Sequence, residues 1–232
     1  TASFAKGVFG TAPKYQFILD LMRKWKPKTF LDIGCGDGQF AAVIKDELGL
    51  RKAYGIEIAT QGVQEAKKRG VLGICLDIDQ ADVPLPSGSV DVVFCGEIIE
   101  HVYSSDHLLE EIHRLLRRKG KLIITTPNLS AWYNRLSVLL GYQPIFSDVS
   151  LKHSVGHLFP MNTSFGHLRI YTLHGLTELL KLHKFSIQHT YGFGVNERVG
   201  VGKSFSWLTK IANWIFQHPS WSSDLCVVAS KA

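Results

Sequence analysis

Glycines and carboxylates stand where an early apolar segment of this sequence ends, and together they could hold a nucleotide. Residues 30–38 read FLDIGCGDG, so that glycines alternate with other residues directly after a strand-like segment. Behind them, Phe40, Val43 and Ile44 recur at helical spacing. Strand, glycine turn and helix form the geometry in which backbone closely approaches a ligand at the carboxyl edge of a parallel sheet. The stretch therefore predicts a nucleotide-binding turn.

The spacing of the glycines separates one class of nucleotide from another. The dinucleotide pattern G-x-G-x-x-G, counted from Gly34, needs a small residue at position 39, and Gln39 stands there. This disfavours a nicotinamide oxidoreductase. The sequence instead has D-x-G-x-G-x-G, which begins at Asp32. Glycine turns also occur without any ligand, so the interpretation depends on residues further along the chain.

Two later carboxylates stand at the ends of the next two apolar segments. Glu57 stands near the end of segment 53–58, AYGIEI, where nucleotide folds place a carboxylate that accepts hydrogen bonds from ribose hydroxyls. Its ordinary alternative is an exposed glutamate at a strand end. Asp77 directly follows segment 71–76, with Asp79 and Asp82 as nearby alternatives. The glycine turn upstream favours the binding role for Glu57.

A third group combines carboxylates with an imidazole. Glu97, Glu100 and His101 follow a predicted strand over 90–95, in the sequence GEIIEHV. A neutral imidazole takes up a hydroxyl proton near pH 7, so His101 is the candidate general base. Carboxylates and imidazole also suit a divalent cation. In the plainer alternative, both glutamates form local hydrogen bonds and His101 only lines the pocket.

These motifs, in this order, resemble the class I S-adenosylmethionine-dependent methyltransferases, and most closely the ubiquinone-biosynthesis-type methyltransferases. The resemblance covers residues 13 to about 190 and rests on the glycine turn, Glu57, Asp77, PLPSGSVDVVF and GEIIEHV. It implies S-adenosyl-L-methionine as cofactor and S-adenosyl-L-homocysteine as product. The cofactor-binding residues that it implies are Asp32, Gly34, Cys35, Gly36, Gly38, Glu57, Ile58, Asp77, Ile78 and Glu97.

The resemblance also assigns roles to some of these residues. Asp32 would face the methionine ammonium group, Asp77 would accept from the adenine amino group, and the Ile78 N–H would reach a ring nitrogen. In some ubiquinone-type and small-RNA 2′-O-methyltransferases, E-x-x-E-H holds a divalent metal together with a later histidine. The later histidines here are His153, His157 and His167, and the sequence does not identify one of them as a ligand. We therefore predict no bound metal and no dependence of activity on chelators.

The predicted strands and helices that position these residues indicate one α/β domain over residues 1–232. We expect a Rossmann-like three-layer αβα sandwich whose seven-stranded sheet is mostly parallel, with an antiparallel last strand inserted between the fifth and sixth. The expected later elements are a helix over 106–118 and strands over 121–126, 185–193 and 225–229. Residues 1–27 are expected to form an N-terminal helical segment. Insertions at 127–170 and 194–222 are expected to form the substrate side.

Both insertions carry apolar side chains whose roles the sequence does not decide. Aromatic residues in the first could line the acceptor pocket or only pack the insertion; they are Trp132, Tyr133, Tyr142, Phe146 and Phe159. In the second, residues 203–217 show one apolar helical face flanked by Trp207 and Trp214. Such a helix could contact a membrane surface or a lipid-linked substrate. It could equally be a lid on its own domain or a dimer contact, so monomer and homodimer both stay open.

Charge and cysteine content indicate which partners and which cell compartment to expect. The net charge of +6 is spread over short clusters at predicted helix ends, with no dense basic tract, so nucleic acid is an unlikely partner. The four cysteines form no CxxC pair and imply no disulfide framework. No signal peptide and no apolar run long enough to span a bilayer are recognisable, so we expect a cytoplasmic protein.

The sequence thus predicts an enzyme that transfers a methyl group from S-adenosylmethionine to an oxygen or nitrogen of a small-molecule acceptor. The reaction is a displacement at a sulfonium, so it needs positioning and proton removal but no covalent nucleophile. The alternatives are a metal-assisted RNA 2′-O-methyltransferase and a non-catalytic module that binds the same cofactor.

Overall fold

A computed structural model describes residues 13–150, 152–158, 164–194 and 218–232 of the chain. Its strands are β1 (Thr29–Ile33), β2 (Lys52–Glu57), β3 (Leu72–Cys75), β4 (Val90–Gly96), β5 (Leu116–Pro127), β6 (Phe185–Phe193) and β7 (Asp224–Lys231). Its α-helices are α1 (Pro13–Trp25), α2 (Gln39–Leu48), α3 (Thr60–Lys68), α4 (Ser105–Leu115), α5 (Trp132–Leu139) and α6 (Leu173–Leu182). A 3-10 turn, Pro219–Trp221, precedes β7.

The strands form one seven-stranded sheet in the order β3-β2-β1-β4-β5-β7-β6. Neighbours from β3 to β5 pair in parallel, whereas β7 pairs antiparallel with both β5 and β6. Residues such as Val92, Val93 and Phe94 in β4 are buried, as expected for strands covered on both faces by helices. The α/β sandwich and the inserted antiparallel strand predicted from the sequence are confirmed.

The junction between α4 and β5 differs from the prediction. We expected the helix to continue to residue 118 and the strand to begin at 121, but α4 ends at Leu115 and β5 begins at Leu116. Leu116 pairs with Val90 and Lys121 with Val92, so the intervening residues bulge out of the ladder. Lys119 has a φ of 61° in this bulge, a conformation that a helical pattern does not reveal.

The first insertion packs mainly against itself. Tyr133 and Ile145 are buried in a small separate cluster, and the Tyr133 hydroxyl lies 2.9 Å from the Ser223 Oγ. Tyr142 is exposed. Phe159 and the predicted helix over 203–217 lie outside the described residues, so their roles stay predictions. Among the helices that the structure describes, none combines the length and apolar character needed to cross a bilayer.

A buried ion pair fixes α1 to the sheet edge at which the parallel strands end. Lys14 is 7% exposed, and its Nζ donates to Glu97 Oε1 at 2.8 Å and to Asp224 Oδ2 at 3.4 Å. Burial alone would lower the pKa of Lys14, but the charges of Glu97 and Asp224 outweigh burial and raise it. One lysine therefore joins α1, the end of β4 and the start of β7.

This arrangement predicts that Lys14→Met destabilises the protein by about 2–3 kcal/mol, because two carboxylates would lose their shared cation. The loss should fall below that of a fully buried pair, since the Glu97 side chain is 34% exposed. Chemical denaturation monitored by circular dichroism measures it. Lys24→Met, at an exposed position of the same helix, is the matched control and should change stability by less than about 0.5 kcal/mol. Equal effects of the two substitutions would contradict a structural role for the ion pair.

Candidate active site

The glycine loop, residues 34–38, turns sharply between β1 and α2. Gly34, Gly36 and Gly38 have φ values of 76°, 55° and 73°, which other residues adopt only with strain. The backbone N–H groups of Gly34 and Cys35 both donate to the Ile56 carbonyl, at 2.8 and 2.9 Å. The loop is therefore fixed to β2 and has a defined shape before any ligand binds.

Two glycines of the loop are required by close packing. A Cβ on Gly34 would lie 2.0 Å from Ile98 Cδ1, and one on Gly38 would lie 2.5 Å from Ala66 Cβ. A Cβ on Gly36 would meet nothing within 4 Å. Gly34 and Gly38 thus let neighbouring elements approach, whereas the space beside Gly36 is open to a ligand.

Glu57, at the end of β2, is oriented by backbone donors. Its Oε2 accepts from the Gly36 N–H at 3.0 Å, and its Oε1 accepts from the Ala59 N–H at 2.9 Å. The carboxylate is thus fixed beside the glycine loop, with lone pairs left for further donors. This geometry suits a carboxylate that would hold ribose hydroxyls.

A cavity of about 170 Å³ lies beside Glu57, at the carboxyl ends of β1, β2 and β3. It brings together residues that are far apart in the chain; those predicted from the sequence are Gly34, Glu57, Ile58, Asp77, Ile78 and His101. The other predicted cofactor residues, Asp32, Cys35, Gly36, Gly38 and Glu97, do not line it. Cys35 instead packs over Gly55, where an added Cβ would lie 2.5 Å from its Sγ.

Asp32 carries a buried carboxyl group below this cavity. It is 4% exposed, and burial, followed by the charge of Glu57, raises its pKa well above the ordinary value. The site without ligand is therefore short of positive charge. The ammonium group of S-adenosylmethionine has the charge that would stabilise the ionised form of Asp32.

The two aspartates that follow β3, Asp77 and Asp79, have different hydrogen-bond partners. Asp77 lines the cavity, and its Oδ1 accepts from the Asp79 N–H at 3.0 Å. Asp79 accepts from the backbone N–H groups of Tyr103 and Ser104, at 2.8 and 2.9 Å. Asp79 therefore ties the end of β3 to the segment before α4, a role that the sequence did not reveal.

Glu97 points to a different set of partners. Its Oε1 accepts from Lys14 and from Thr125 Oγ1 at 2.7 Å, and its φ is 55°. Because these partners lie on α1 and β5, the carboxylate is held between these two elements. Direct contact of Glu97 with the cofactor stays a prediction.

Glu100, His101 and His167 converge beside the cavity. One potential ligand atom of each lies within 4.8 Å of the others. The Glu100 carbonyl accepts from the Leu168 N–H at 2.8 Å and from the Arg169 N–H at 3.2 Å, which brings the later segment to the end of β4. Sequence reasoning found all three residues but could not select His167 from the later histidines. No local motif marks this backbone contact.

The two imidazoles have similar hydrogen bonds. His101 Nδ1 lies 3.3 Å from the Gly166 carbonyl, and His167 Nδ1 lies 2.9 Å from the Phe146 carbonyl. A carbonyl only accepts, so in the neutral form of each ring Nδ1 carries the proton and Nε2 keeps its lone pair. Burial lowers the pKa of His167 and favours its neutral form. The Nε2 atoms can therefore accept a proton or bind a cation.

One carboxylate oxygen of Glu100 is available to bind such a cation. Its Oε2 accepts from Thr126 Oγ1 at 3.0 Å, while its buried Oε1 has no partner among the described residues. Burial and the charge of Glu97 raise the pKa of Glu100 to about 8. One carboxylate and two neutral imidazoles form a donor set that fits a divalent transition metal. The prediction of no metal rested on the lack of an identifiable later histidine, and His167 occupies that place.

Comparisons with known proteins agree with this geometry. The chain is 28% identical over 162 residues to a probable S-adenosylmethionine-dependent methyltransferase of Mycolicibacterium smegmatis, covering 70% of this chain and 53% of the relative. It is 27% identical over 156 residues to the small RNA 2′-O-methyltransferase of Rattus norvegicus, covering 60% of this chain and 36% of that protein. The crystal structure of an S-adenosylmethionine-dependent methyltransferase from Mesorhizobium loti superposes with a TM-score of 0.62 at 16% identity, covering 96% and 99% of the two chains.

The orientation of Glu57 predicts its contribution to cofactor affinity. Glu57→Ala should weaken S-adenosylhomocysteine binding by about 1.5–3 kcal/mol, the scale of a lost charge-assisted hydrogen bond. Titration calorimetry measures it, with NAD as a ligand that should not bind. Glu110→Ala, at an exposed position of α4, is the matched control and should leave the affinity unchanged. An unaltered dissociation constant for Glu57→Ala would remove this residue from the site.

The raised pKa of Asp32 predicts that cofactor binding releases a proton. Below that pKa the ligand-free protein carries a protonated Asp32 carboxyl group, and a bound ammonium would favour the ionised form, so S-adenosylhomocysteine affinity should rise as the pH rises toward that pKa. Calorimetry in two buffers with different ionisation enthalpies measures the released protons. Asp32→Asn should bind more weakly and release fewer. Equal proton release by the two proteins would show that Asp32 does not titrate on binding.

The family comparison covers the part of the chain that builds the cavity. Residues 31–124 match the model of a methyltransferase domain, which includes the glycine loop, Glu57, Asp77 and His101. The chain spans about half, or less, of the length of the curated relatives named above. S-adenosylmethionine is the cofactor of this family, and the glycine loop, Glu57 and Asp77 fit it. Over residues 31–124 the chain therefore carries a methyltransferase domain, and its fold and its named relatives are those of S-adenosylmethionine-dependent methyltransferases.

Proposed function

We propose that the protein transfers a methyl group from S-adenosylmethionine to an oxygen or nitrogen atom of a small-molecule acceptor. The observation that carries this proposal is His101, which lines the cofactor cavity and whose Nδ1 lies against the Gly166 carbonyl, an arrangement that leaves the lone pair of the neutral ring on Nε2. A base at this place can take the acceptor's proton during the displacement. The Gly166 carbonyl fixes the tautomer that this role requires.

The residues of the chain would divide the work between binding and proton transfer. Glu57 holds the ribose hydroxyls, Asp77 binds the adenine amino group, and Asp32 pairs with the methionine ammonium. S-adenosylmethionine, when bound, supplies an electrophilic methyl group on its sulfonium. His101 Nε2 accepts the proton of the acceptor hydroxyl or amine as that group becomes nucleophilic. Fixing both reactants in line accounts for much of the rate in such a transfer.

A second candidate function is the metal-assisted methylation of an RNA 2′-hydroxyl. The unpartnered Glu100 Oε1 and the two Nε2 lone pairs favour it, as does the similarity to the rat small RNA 2′-O-methyltransferase. Glu100, His101 and His167 would hold a divalent cation. The cation would orient the substrate hydroxyl and lower its pKa. In this case His101 is a ligand rather than a base.

One set of variants distinguishes the two functions. We expect methyl transfer from radiolabelled S-adenosylmethionine to pools of phenols and amines, with the rate unchanged by a chelator and by His167→Ala. His101→Ala should lower the rate about 10²–10⁴-fold, the usual contribution of a general base, without changing S-adenosylhomocysteine affinity. His153→Ala, at an exposed histidine, is the matched control.

Two other outcomes would contradict the small-molecule proposal. Transfer to an RNA pool that is lost with a chelator, restored by manganese or magnesium, and reduced alike by His167→Ala and His101→Ala would establish the metal-assisted function. S-adenosylhomocysteine binding without methyl transfer to any pool would favour a non-catalytic module.

A further inference from the structure

The fold gathers dispersed basic residues at the sheet edge opposite the cavity. The five parallel strands, β1 to β5, begin at this edge, and β6 begins there too because its first residues pair with the end of the antiparallel strand β7. Exposed cations stand at or just before the starts of β1, β2, β5 and β6. We call this set the basic edge; its members are Lys26, Lys28, Arg51, Lys52, Arg117, Arg118, Lys119 and Lys184.

The register of the sheet places these cations side by side. Lys28 directly precedes Thr29, which is opposite Lys52 in β2. Arg118 and Lys119 lie in the bulge at the start of β5, and Lys184 precedes Phe185, which is opposite Lys231 at the end of β7. With strands about 4.8 Å apart, the five intervals from β2 to β6 span about 24 Å. In the sequence the same residues form only short, separate clusters.

Few carboxylates neutralise the basic edge. Arg117 pairs with Asp91, whose other oxygen accepts from the backbone N–H groups of Lys28 and Thr29. For the other side chains of the set, the described part of the chain provides no ion pair. The Glu47 carboxylate, at the end of α2, is already paired with Arg23. The edge therefore keeps a row of unneutralised positive charge.

The character of the surface favours one kind of partner. Two large apolar side chains are exposed near the basic edge in the described residues: Leu182, which precedes Lys184, and Leu72, which begins β3 beside β2. Membrane-surface contacts normally add a continuous set of inserted apolar groups, and protein interfaces add buried aromatic anchors. A row of cations with only two separate leucines at its ends matches a regularly spaced polyanion. Over 24 Å, a duplex presents about seven base pairs of phosphates.

We propose that the basic edge binds the phosphate backbone of a nucleic acid, without reading its sequence, at a surface separate from the methyl-transfer site. The separation follows from the sheet, because the cavity lies where β1 and β2 end and the basic edge lies where they begin. The five residues of β1 span about 17 Å between the two. The proposal does not depend on which acceptor is methylated.

The test is fluorescence anisotropy with labelled 20-base-pair RNA and DNA duplexes of equal sequence, from 50 to 200 mM salt. We expect binding whose logarithmic salt slope is about −3 or steeper, as for several phosphate contacts. Lys28→Gln with Lys119→Gln should make that slope less steep by about 2, one unit for each lost contact. The matched control, Lys152→Gln, removes an exposed lysine of the first insertion and should leave the slope unchanged. S-adenosylhomocysteine affinity should be the same in all three proteins.

Several results would overturn the proposal. One is the absence of duplex binding at 50 mM salt. Another is a decrease of the salt slope in the control variant that equals the decrease in the Lys28→Gln, Lys119→Gln variant. Binding to phosphatidylglycerol vesicles but not to duplexes would assign the surface to lipid, and displacement by polyglutamate at equal charge would assign it to an acidic protein. Competition between duplex and S-adenosylhomocysteine would show that the two surfaces are not separate.

Discussion

Carboxyl groups are concentrated at the sheet edge where the parallel strands end, and the rest of the site depends on how their charge is balanced. Asp32 and Glu100 are almost completely buried there, and Glu97 lies close enough to raise the pKa of Glu100. Lys14 is a buried cation that the structure places against Glu97. Ionising carboxyl groups that are buried so close together costs free energy unless cations compensate their charge. A cofactor with sulfonium and ammonium groups, or a divalent metal, provides such cations, so the site favours cationic ligands electrostatically.

The two halves of the site are assembled by different kinds of contact. The cofactor half comes from residues that are close in sequence, because the glycine loop, Glu57 and Asp77 follow successive strands of one parallel unit. The group around Glu97, Glu100 and His101 needs distant partners. Lys14 comes from α1, and His167 is brought in by the backbone bonds of Glu100 to Leu168 and Arg169. One part of the site therefore follows from local patterns of the fold, whereas the other depends on contacts between distant segments.

This division explains how much the sequence could predict. The strand order, the glycine loop and the place of Glu57 follow from local patterns, and so does the Thr172 cap of α6, whose side chain accepts from the Gly175 N–H. The selection of His167 and the buried pairing of Lys14 depend on long-range contacts that leave no periodic signal. The bulge around Lys119 depends on backbone conformation rather than residue type. The basic edge appears only when the strand starts are placed side by side.

The position of β7 has a consequence for how the chain is made. This last strand fills the gap between β5 and β6, and both of its edges are hydrogen-bonded along most of their length. On a ribosome, β5 and β6 therefore emerge before the strand that joins them, with open edges that can pair with other chains. The parallel half of the sheet can form early, but the antiparallel half cannot close until translation has passed β7. A growing polypeptide that is stalled before that point would leave the apolar edge of β5 open to pairing with other chains.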